Sequence, residues 1–218
     1  MDFAKARMLM VDGQLRPSRV VNPALLAAFR EVPREAFLPA NLGAWAYADE
    51  DVALGQGRVL AAPLIVARLL QLAEPRAGDR ALIVGAGAGY GATILARCGV
   101  RVTALESDPA LIARGRAAMV GLVPPGGLRF EQGPLPQGWA AGAPYDVIVI
   151  EGEVPSLPDG IVGQLAEGGR LVTVLGEGRG RSRAVLARRI GGALSTLPAH
   201  DCATAPLPAF EPAPAFQF

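Results

Sequence analysis

Residues 80–91, RALIVGAGAGYG, join a short apolar run to a cluster of glycines, and a helical pattern, ATILARCGV, follows at 92–100. The apolar run predicts a buried strand, and the glycines allow a tight turn and a close approach of the backbone to a ligand. The start of the next helix offers unpaired N–H groups to a polar or anionic group. In open α/β sheets ligands bind at this place, outside the carboxyl ends of the strands. We therefore predict a ligand site at this turn.

Downstream of this turn, predicted strands and helices alternate. The segments are RVTALESD at 101–108 (strand), PALIARGRAAMVGL at 109–122 (helix), LRFEQG at 128–133 (strand), YDVIVIEG at 145–152 (strand), GIVGQLAEGG at 160–169 (helix) and RLVTVLG at 170–176 (strand). Such alternation predicts a parallel sheet with helices on both faces. Residues 183–200 then predict two strands joined at Gly191-Gly192, an antiparallel hairpin that ends the sheet.

Upstream of the turn, residues 1 to about 50 predict helical pieces. Asn22 is a suitable cap for a helix that has Pro23 at its first position, and PLIVARLLQLAE at 63–74 predicts an amphipathic helix. The tail from residue 205 is rich in proline and alanine, and its phenylalanines either pack back on the protein or stay loose.

Composition excludes several classes of protein. Hydrophobic residues make up 51% of the 218 residues and charged residues 19%, which is typical of a folded chain and not of a disordered one. A formal charge of +1 argues against nucleic-acid binding by phosphate neutralisation. Cys98 and Cys202 are too few for a disulfide scaffold or a four-ligand zinc site, so we expect no metal. Without an uninterrupted apolar segment we expect a cytoplasmic protein that does not cross a membrane.

Glu106, at the end of the predicted strand that follows the glycine turn, indicates which class of ligand binds there. A carboxylate there can accept hydrogen bonds from both hydroxyls of a ribose, so the glycines and Glu106 together indicate an adenosine-containing cofactor. The alternative is a plain tight turn beside a solvated Glu. Residues 87–92 fit a loose dinucleotide pattern, which keeps a nicotinamide cofactor open, whereas Gly85–Gly89 and the terminal hairpin favour S-adenosylmethionine.

The sequence resembles the protein-L-isoaspartate O-methyltransferase family over most of its length. The motifs that carry the resemblance are MVDGQLR at 10–16, VPREAFLP at 32–39, AYADEDVALGQG at 46–57, the glycines ending in Gly89-Tyr90, VTALE at 102–106, GPLPQGW at 133–139, YDVIVIEG at 145–152 and QLAEGGRLVTVLG at 164–176. Their order and spacing make the resemblance specific.

The resemblance implies a Rossmann-like class I methyltransferase sheet, α/β and mostly parallel, with a terminal antiparallel hairpin and an N-terminal helical addition. Residues 1–75 would form the helical and substrate-loop region and 76–218 the S-adenosylmethionine-binding domain, in one compact unit. The family transfers a methyl group from S-adenosylmethionine to the free carboxylate of an isoaspartyl residue in a protein. An ionised carboxylate needs no general base, so catalysis relies on positioning and on the removal of water.

The resemblance also implies the cofactor-binding residues, which are Gly85, Ala86, Gly87, Gly89, Glu106, Ser107, Gly133, Pro134 and Leu135. Two positions on this side depart from the family. The acidic residue that usually precedes the glycines is Ile83, and the aspartate that would accept from the adenine amino group is Pro134. Leu135 still offers a backbone N–H and an apolar contact to the adenine ring.

The substrate side departs further from the family pattern G-x-G-Q-T-I-S-Q-P, which corresponds here to Gly55–Pro63. The active-site serine is replaced by Ala61 and the following glutamine by Ala62, so the catalytic residues are left open. Arg58 stands where the family pattern has glutamine, and it either binds a carboxylate bidentately or faces solvent. We expect a methyltransferase whose substrate, a protein or peptide carboxylate, is altered, or else a non-catalytic nucleoside-binding or regulatory descendant.

Other polar residues give weaker signals. His200 lacks a catalytic partner nearby in sequence, Cys98 fits a core position, and Trp139 fits a packing anchor. The acidic run 49–51 is expected on a solvated face, with a smaller chance of lining a pocket. Glu151 and Glu153 follow a strand at the carboxyl edge of the sheet, where they either face the site of methyl transfer or cap a loop.

Overall fold

The computed structural model describes residues 1–178 and 180–210. Its α-helices are α1 Phe3–Met10, α2 Pro23–Glu31, α3 Pro63–Leu72, α4 Tyr90–Arg97, α5 Pro109–Ala118 and α6 Asp159–Val162. A π-helical turn, Val11–Leu15, extends α1, and short 3₁₀ helices cover Arg34–Phe37, Ala40–Trp45, Leu135–Gln137 and Ala140–Gly142. The strands are β1 Val52–Gly55, β2 Arg58–Leu60, β3 Arg80–Val84, β4 Arg101–Glu106, β5 Leu128–Gln132, β6 Tyr145–Val154, β7 Leu165–Gly178, β8 Arg181–Ile190 and β9 Ala193–Asp201.

The main sheet has the strand order β5-β4-β3-β6-β7-β8-β9 within the described residues. Strands β5, β4, β3, β6 and β7 pair in parallel, and β8 and β9 add an antiparallel hairpin. The predicted class, an α/β sheet that is mostly parallel with a terminal hairpin, is therefore confirmed. Strands β1 and β2 form a separate antiparallel pair that the sequence analysis did not predict.

The helix predicted over residues 160–169 is wrong beyond its first turn. Only Asp159–Val162 is helical, and β7 already begins at Leu165. Gly168 has a φ of +74°, a left-handed conformation that ends a helix. Leu165 pairs with Tyr145, whereas Arg170 pairs with Val147, so the residues between them bulge out of the ladder.

Of the tail phenylalanines, Phe210 is buried, and Phe216 and Phe218 lie outside the described residues.

The N-terminal helices pack against one face of the sheet and share its core. Phe29 of α2 and Phe37 contact the ring of Tyr90, which begins α4, with centroid distances of 6.0 and 5.5 Å. All three rings are buried, and truncating one such ring to alanine typically costs about 3–5 kcal/mol. This packing places the 55–63 loop over the carboxyl edge of the sheet. In the part of the chain that the structure describes, no helix has the length and apolarity needed to cross a bilayer.

Candidate functional site

The glycine loop, residues 85–91, leads from β3 into α4 in a conformation that only glycines adopt easily. Gly85, Gly87 and Gly89 have φ values of +72°, +56° and +82°. The N–H groups of Gly85 and Ala86 both donate to the carbonyl of Leu105, at 3.0 and 3.1 Å. The loop is thereby tied to the neighbouring strand β4, and the Ala86 side chain is buried beneath it.

Glu106 ends β4 with its carboxylate fully buried against the glycine loop. It accepts hydrogen bonds from the backbone N–H groups of Gly87 (2.7 Å), Ser107 (2.8 Å) and Asp108 (3.1 Å). Directly after the neighbouring strand β5, the Gly133 N–H donates to the Glu106 carbonyl at 3.2 Å. The structure therefore brings the predicted residues of β3, β4 and β5 to one edge of the sheet. The other two predicted cofactor-binding residues lie beside them, and of these Pro134 is exposed and Leu135 is buried.

Arg58 binds the Glu106 carboxylate bidentately. The Nη1–Oε1 and Nη2–Oε2 distances are 3.0 and 2.8 Å, and Nη2 also donates to the Gly85 carbonyl at 2.8 Å. Both side chains are buried. Of the two sequence alternatives for Arg58, the structure shows the bidentate one, but the carboxylate belongs to the protein itself. The guanidinium occupies acceptor positions on both oxygens of the carboxylate that the sequence analysis expected to bind ribose hydroxyls.

Residues 204–210, here called the C-terminal strap, cross the same edge of the sheet. The Glu153 N–H donates to the Ala205 carbonyl at 3.1 Å, and the Leu207 N–H donates to the Glu153 carbonyl at 2.8 Å. The Leu207 side chain is buried over two glycines: a Cβ at Gly85 or Gly152 would lie 2.9 or 2.8 Å from it. Leu207 therefore fills the space directly above the glycine loop.

Asp51 links the strap to the 55–63 loop. Its carboxylate accepts from the N–H of Ala62 (2.8 Å), from the Thr204 hydroxyl (2.7 Å) and from the Ala205 N–H (3.1 Å). Within the acidic run 49–51, Asp49 accepts from the first turn of α3 and Glu50 is exposed. The expectation of a plain solvated face is thus wrong for Asp51, which joins the loop at Ala62 to the strap at Thr204.

Arg34 supports the 55–63 loop from below. Its guanidinium donates to the carbonyls of Ala61 (2.6 Å) and Ala46 (2.7 Å) and lies 4.9 Å from the centre of the Tyr90 ring. Burial lowers the pKa of Arg34. The cavity beside Ala61 measures only about 10 Å³, which is room for about one water molecule. A substrate carboxylate does not fit in this cavity.

Glu151 is the acidic residue of β6 that faces the site. Its Oε1 atom is buried and has no hydrogen-bond partner among the residues described. Burial raises the pKa of Glu151 to about 8, although nearby Arg58 and Arg34 lower it. A Cβ at Gly91 would collide with this carboxylate, so the glycine there leaves room for it. Glu153 has a different role, because it accepts from the Ser182 hydroxyl and its backbone pairs with the strap.

Of the other residues singled out from the sequence, His200 and Cys98 lie away from this edge, whereas the Trp139 ring would lie 3.5 Å from a Cβ at Gly133. His200 is on β9, where burial lowers its pKa, and burial raises the pKa of Cys98 after α4. Trp139 packs against the apolar cluster under β6, as its sequence suggested. Within residues 1–178 and 180–210, no group of three or more His, Cys, Asp or Glu side chains is arranged to hold a metal ion.

Four residues of the site were missed or undervalued by the sequence analysis: Leu207, Thr204, Arg34 and Asp51. Arg34 carried a signal, because it lies inside the VPREAFLP motif. Leu207 and Thr204 lie in a stretch whose alanines and prolines suggest only a loose tail, and their partners are far away in sequence.

Comparison with known proteins decides the family. Residues 6–208 match the family model described as protein-L-isoaspartate(D-aspartate) O-methyltransferase. The chain belongs to this family. The resemblance noted from the sequence motifs is thereby confirmed, and the family's methyl donor is S-adenosylmethionine.

Curated members of the family resemble the chain over most of its length. It is 40% identical over 183 residues to protein-L-isoaspartate O-methyltransferase 1 of Rhodopseudomonas palustris, covering 84% of this chain and 74% of that protein. It is 41% identical over 190 residues to the Methylorubrum extorquens protein-L-isoaspartate O-methyltransferase, covering 86% and 82%.

Two solved structures share the fold. A protein-L-isoaspartate O-methyltransferase aligns with a TM-score of 0.80 at 22% identity, covering 94% of this chain and 67% of that one. A putative family member from Plasmodium falciparum, in complex with S-adenosyl-L-homocysteine, aligns with a TM-score of 0.78 at 19% identity, covering 92% and 97%.

The scaffold of this site fits an adenosyl group, whereas two residues that cover it do not. The left-handed glycine loop, the Glu106 carboxylate and the apolar Leu135 provide the backbone approach, the acceptor and the ring contact that such a group needs. Arg58 takes the acceptor face of Glu106, and Leu207 covers Gly85. In the arrangement described, Arg58 and Leu207 lie against the residues predicted to hold the methyl donor.

Proposed function

We propose that this chain is an S-adenosylmethionine-dependent methyltransferase that esterifies a carboxylate of a protein or peptide, with the isoaspartyl carboxylate as the first candidate. The observation that carries the proposal is the contact between the glycine loop and the strand-end carboxylate. The Gly87 N–H lies 2.7 Å from Glu106, at the edge of the sheet where the 55–63 loop also arrives. Family membership supports the same reaction class.

The bound donor would supply an electrophilic methyl group on a sulfonium that leaves readily. This chain's residues would do the rest by position: the glycine loop and Glu106 hold the adenosyl part, and Leu135 contacts the adenine ring. An ionised carboxylate is already a nucleophile, so no general base is needed, and the absence of a hydroxyl at Ala61 does not by itself prevent the reaction. The 55–63 loop and the strap exclude water from the site.

A second candidate function is a non-catalytic nucleoside-binding or regulatory role. Two features favour it. The alanines at positions 61 and 62 change the substrate side of the site, and the Arg58–Glu106 ion pair changes the cofactor side. The two candidates differ in whether methyl transfer occurs at all.

The test is transfer of labelled methyl groups from S-adenosylmethionine to a short peptide with one isoaspartyl residue. The matched control peptide has a normal aspartate in the same place. We expect the isoaspartyl peptide to gain label and the control peptide to gain none, and we expect the Ala61→Ser variant to raise the rate. Label in neither peptide with the natural protein, but in the isoaspartyl peptide with Ala61→Ser, would support the non-catalytic role instead.

A further inference from the structure

We propose that Arg58 is a switch residue that exchanges carboxylate partners. In the closed arrangement it holds Glu106, and in the open arrangement it binds the carboxylate of the substrate. S-adenosylmethionine and a carboxylate substrate would then bind cooperatively. This inference deepens the proposed function and rests on it.

The coordination of Glu106 shows which partner can leave. Oε1 accepts from the N–H groups of Ser107 and Asp108, from the Ser107 hydroxyl and from Arg58 Nη1. Oε2 accepts from the Gly87 N–H and from Arg58 Nη2. A carboxylate has about four lone-pair positions, so ribose hydroxyls find no room while all these donors are present. The backbone donors are fixed by the strand end and the glycine loop, and Arg58 is the donor on a long side chain.

The charges explain why the exchange would be coupled. Removing one partner from a buried ion pair leaves an uncompensated charge, which is strongly unfavourable. Binding of the adenosyl group alone would leave the buried Arg58 guanidinium without a carboxylate partner. Binding of a substrate carboxylate alone would leave Glu106 without its positively charged partner. When both ligands bind, Arg58 has the substrate carboxylate and Glu106 has the ribose hydroxyls. Each ligand therefore lowers the cost of binding the other.

The position of Arg58 fits this second partner. Arg58 begins β2, three residues before Ala61, the position that corresponds to the family's active-site serine. The neighbouring cation, Arg34, is held under the loop by the carbonyls of Ala46 and Ala61. Arg58 lies against the glycine loop instead, with its guanidinium on Glu106 and on the Gly85 carbonyl, and in the open arrangement its long side chain would turn to a carboxylate bound at the loop.

The C-terminal strap holds the switch in its closed position. Leu207 packs on Gly85, whose carbonyl accepts from Arg58 Nη2 at 2.8 Å. Asp51 ties the strap, through Thr204 and Ala205, to the same loop that carries Arg58. Shortening the Leu207 side chain would weaken the closed arrangement. Arg58 would still be present to bind Glu106 or the substrate carboxylate.

The experiment is calorimetric titration with S-adenosylhomocysteine, alone and with a saturating isoaspartyl peptide. The variants are Arg58→Met, Leu207→Ala and, as a matched control, Arg129→Met, which alters an exposed arginine of β5. For the natural protein we expect the peptide to tighten S-adenosylhomocysteine binding at least tenfold, within the usual range of coupling between sites. For Arg58→Met we expect at least tenfold tighter binding without peptide and no further effect of peptide. Leu207→Ala should bind more tightly and keep the peptide effect, and Arg129→Met should match the natural protein.

The outcomes separate the switch from the function itself. If the natural protein and Arg58→Met bind S-adenosylhomocysteine equally and the peptide changes neither, the switch is refuted while the methyltransferase proposal stands. If folded samples of the natural protein and of both site variants all fail to bind, the cofactor proposal is refuted and the switch with it. Should Arg58→Met not fold, Leu207→Ala decides: tighter binding with the peptide effect retained supports the switch, and unchanged binding refutes it.

Discussion

The glycine loop and the 55–63 loop meet at one edge of the sheet but are held there by different kinds of contact. The glycine loop is fixed by backbone hydrogen bonds to the adjacent strand, as in the two N–H groups that donate to Leu105. The 55–63 loop is fixed by side chains, namely Arg34, the nearby Asp51 and, through Arg58, Glu106. The first region is a scaffold, and the second is a cover that lies on it.

This difference separates what the fold maintains from what single substitutions can change. Strand pairing, left-handed glycines and backbone hydrogen bonds hold most of the scaffold. The cover depends on a few polar pairs and on Leu207, so replacing one residue can open or close it. The departures from the family pattern at residues 58, 61 and 62 all lie in the cover.

The largest loss of stability is expected at the ion pair that joins the cover to the scaffold. Glu106→Ala leaves the Arg58 guanidinium buried without its carboxylate and removes the acceptor of three backbone N–H groups. We expect the free energy of unfolding to fall by about 3–5 kcal/mol in urea titrations. The control Glu131→Ala, which breaks an ion pair nearer the surface, should cost less than about 1 kcal/mol. Equal losses in the two variants would mean that the Arg58–Glu106 pair does not hold the cover in solution.

An intermediate effect, dependent on pH, is expected at Glu151 under the cover. Its pKa is about 8 in the folded protein against an ordinary value of 4.5, so between these values the folded state keeps a proton that the unfolded chain has released. The free energy of unfolding should therefore fall as the pH rises through this window. Glu151→Gln, which stays neutral, should gain about 2–3 kcal/mol relative to the natural protein between pH 5 and pH 7.

The measurement is a series of urea titrations at several pH values, with the exposed Glu50→Gln as control. The groups around Glu151 that bear on the result are Arg58 and Arg34, which favour its ionised form, and Glu106, which opposes it. A constant difference between Glu151→Gln and the natural protein across this range would show that Glu151 is ionised in the folded state.

The smallest effect is expected at the link between strap and loop. Thr204→Val keeps the shape of the side chain but removes the hydroxyl that donates to Asp51 at 2.7 Å. We expect a loss of about 1 kcal/mol in stability, because the hydrogen bond is only partly buried and Asp51 keeps two backbone donors. Hydrogen exchange of the Ala205 and Leu207 amides should become faster, while exchange in β3 should not change. Slower or unchanged exchange in the strap would contradict its role as part of the cover.

The sequence predicted the scaffold because its signals are local. Alternating apolar runs and helical patterns set β3 to β6, and Gly85–Gly89 with Glu106 placed the site at the right edge. The helix predicted at residues 160–169 is wrong because Gly168, with its left-handed backbone, and Gly169 favour a turn over a continued helix. The β1–β2 pair was missed because each strand is only three or four residues long.

The cover was predicted poorly because its contacts join residues far apart in the chain. Arg58 and Glu106 are 48 positions apart, and Asp51 and Thr204 are 153 apart. The sequence showed that Arg58 could bind a carboxylate, but several acidic residues were equally available. The Pro- and Ala-rich stretch around Leu207 carries no periodic pattern that predicts burial, and only the folded sheet shows the space that this side chain fills.

The central claim is that the glycine loop and Glu106 form an adenosyl site that Arg58 and Leu207 cover. A crystal structure of the protein grown with S-adenosylhomocysteine and an isoaspartyl peptide tests it most directly. We predict ribose hydroxyls on the Glu106 carboxylate, Arg58 on the peptide carboxylate, and Leu207 displaced from Gly85. A structure in which S-adenosylhomocysteine is bound elsewhere, with the Arg58–Glu106 pair intact, would contradict the account.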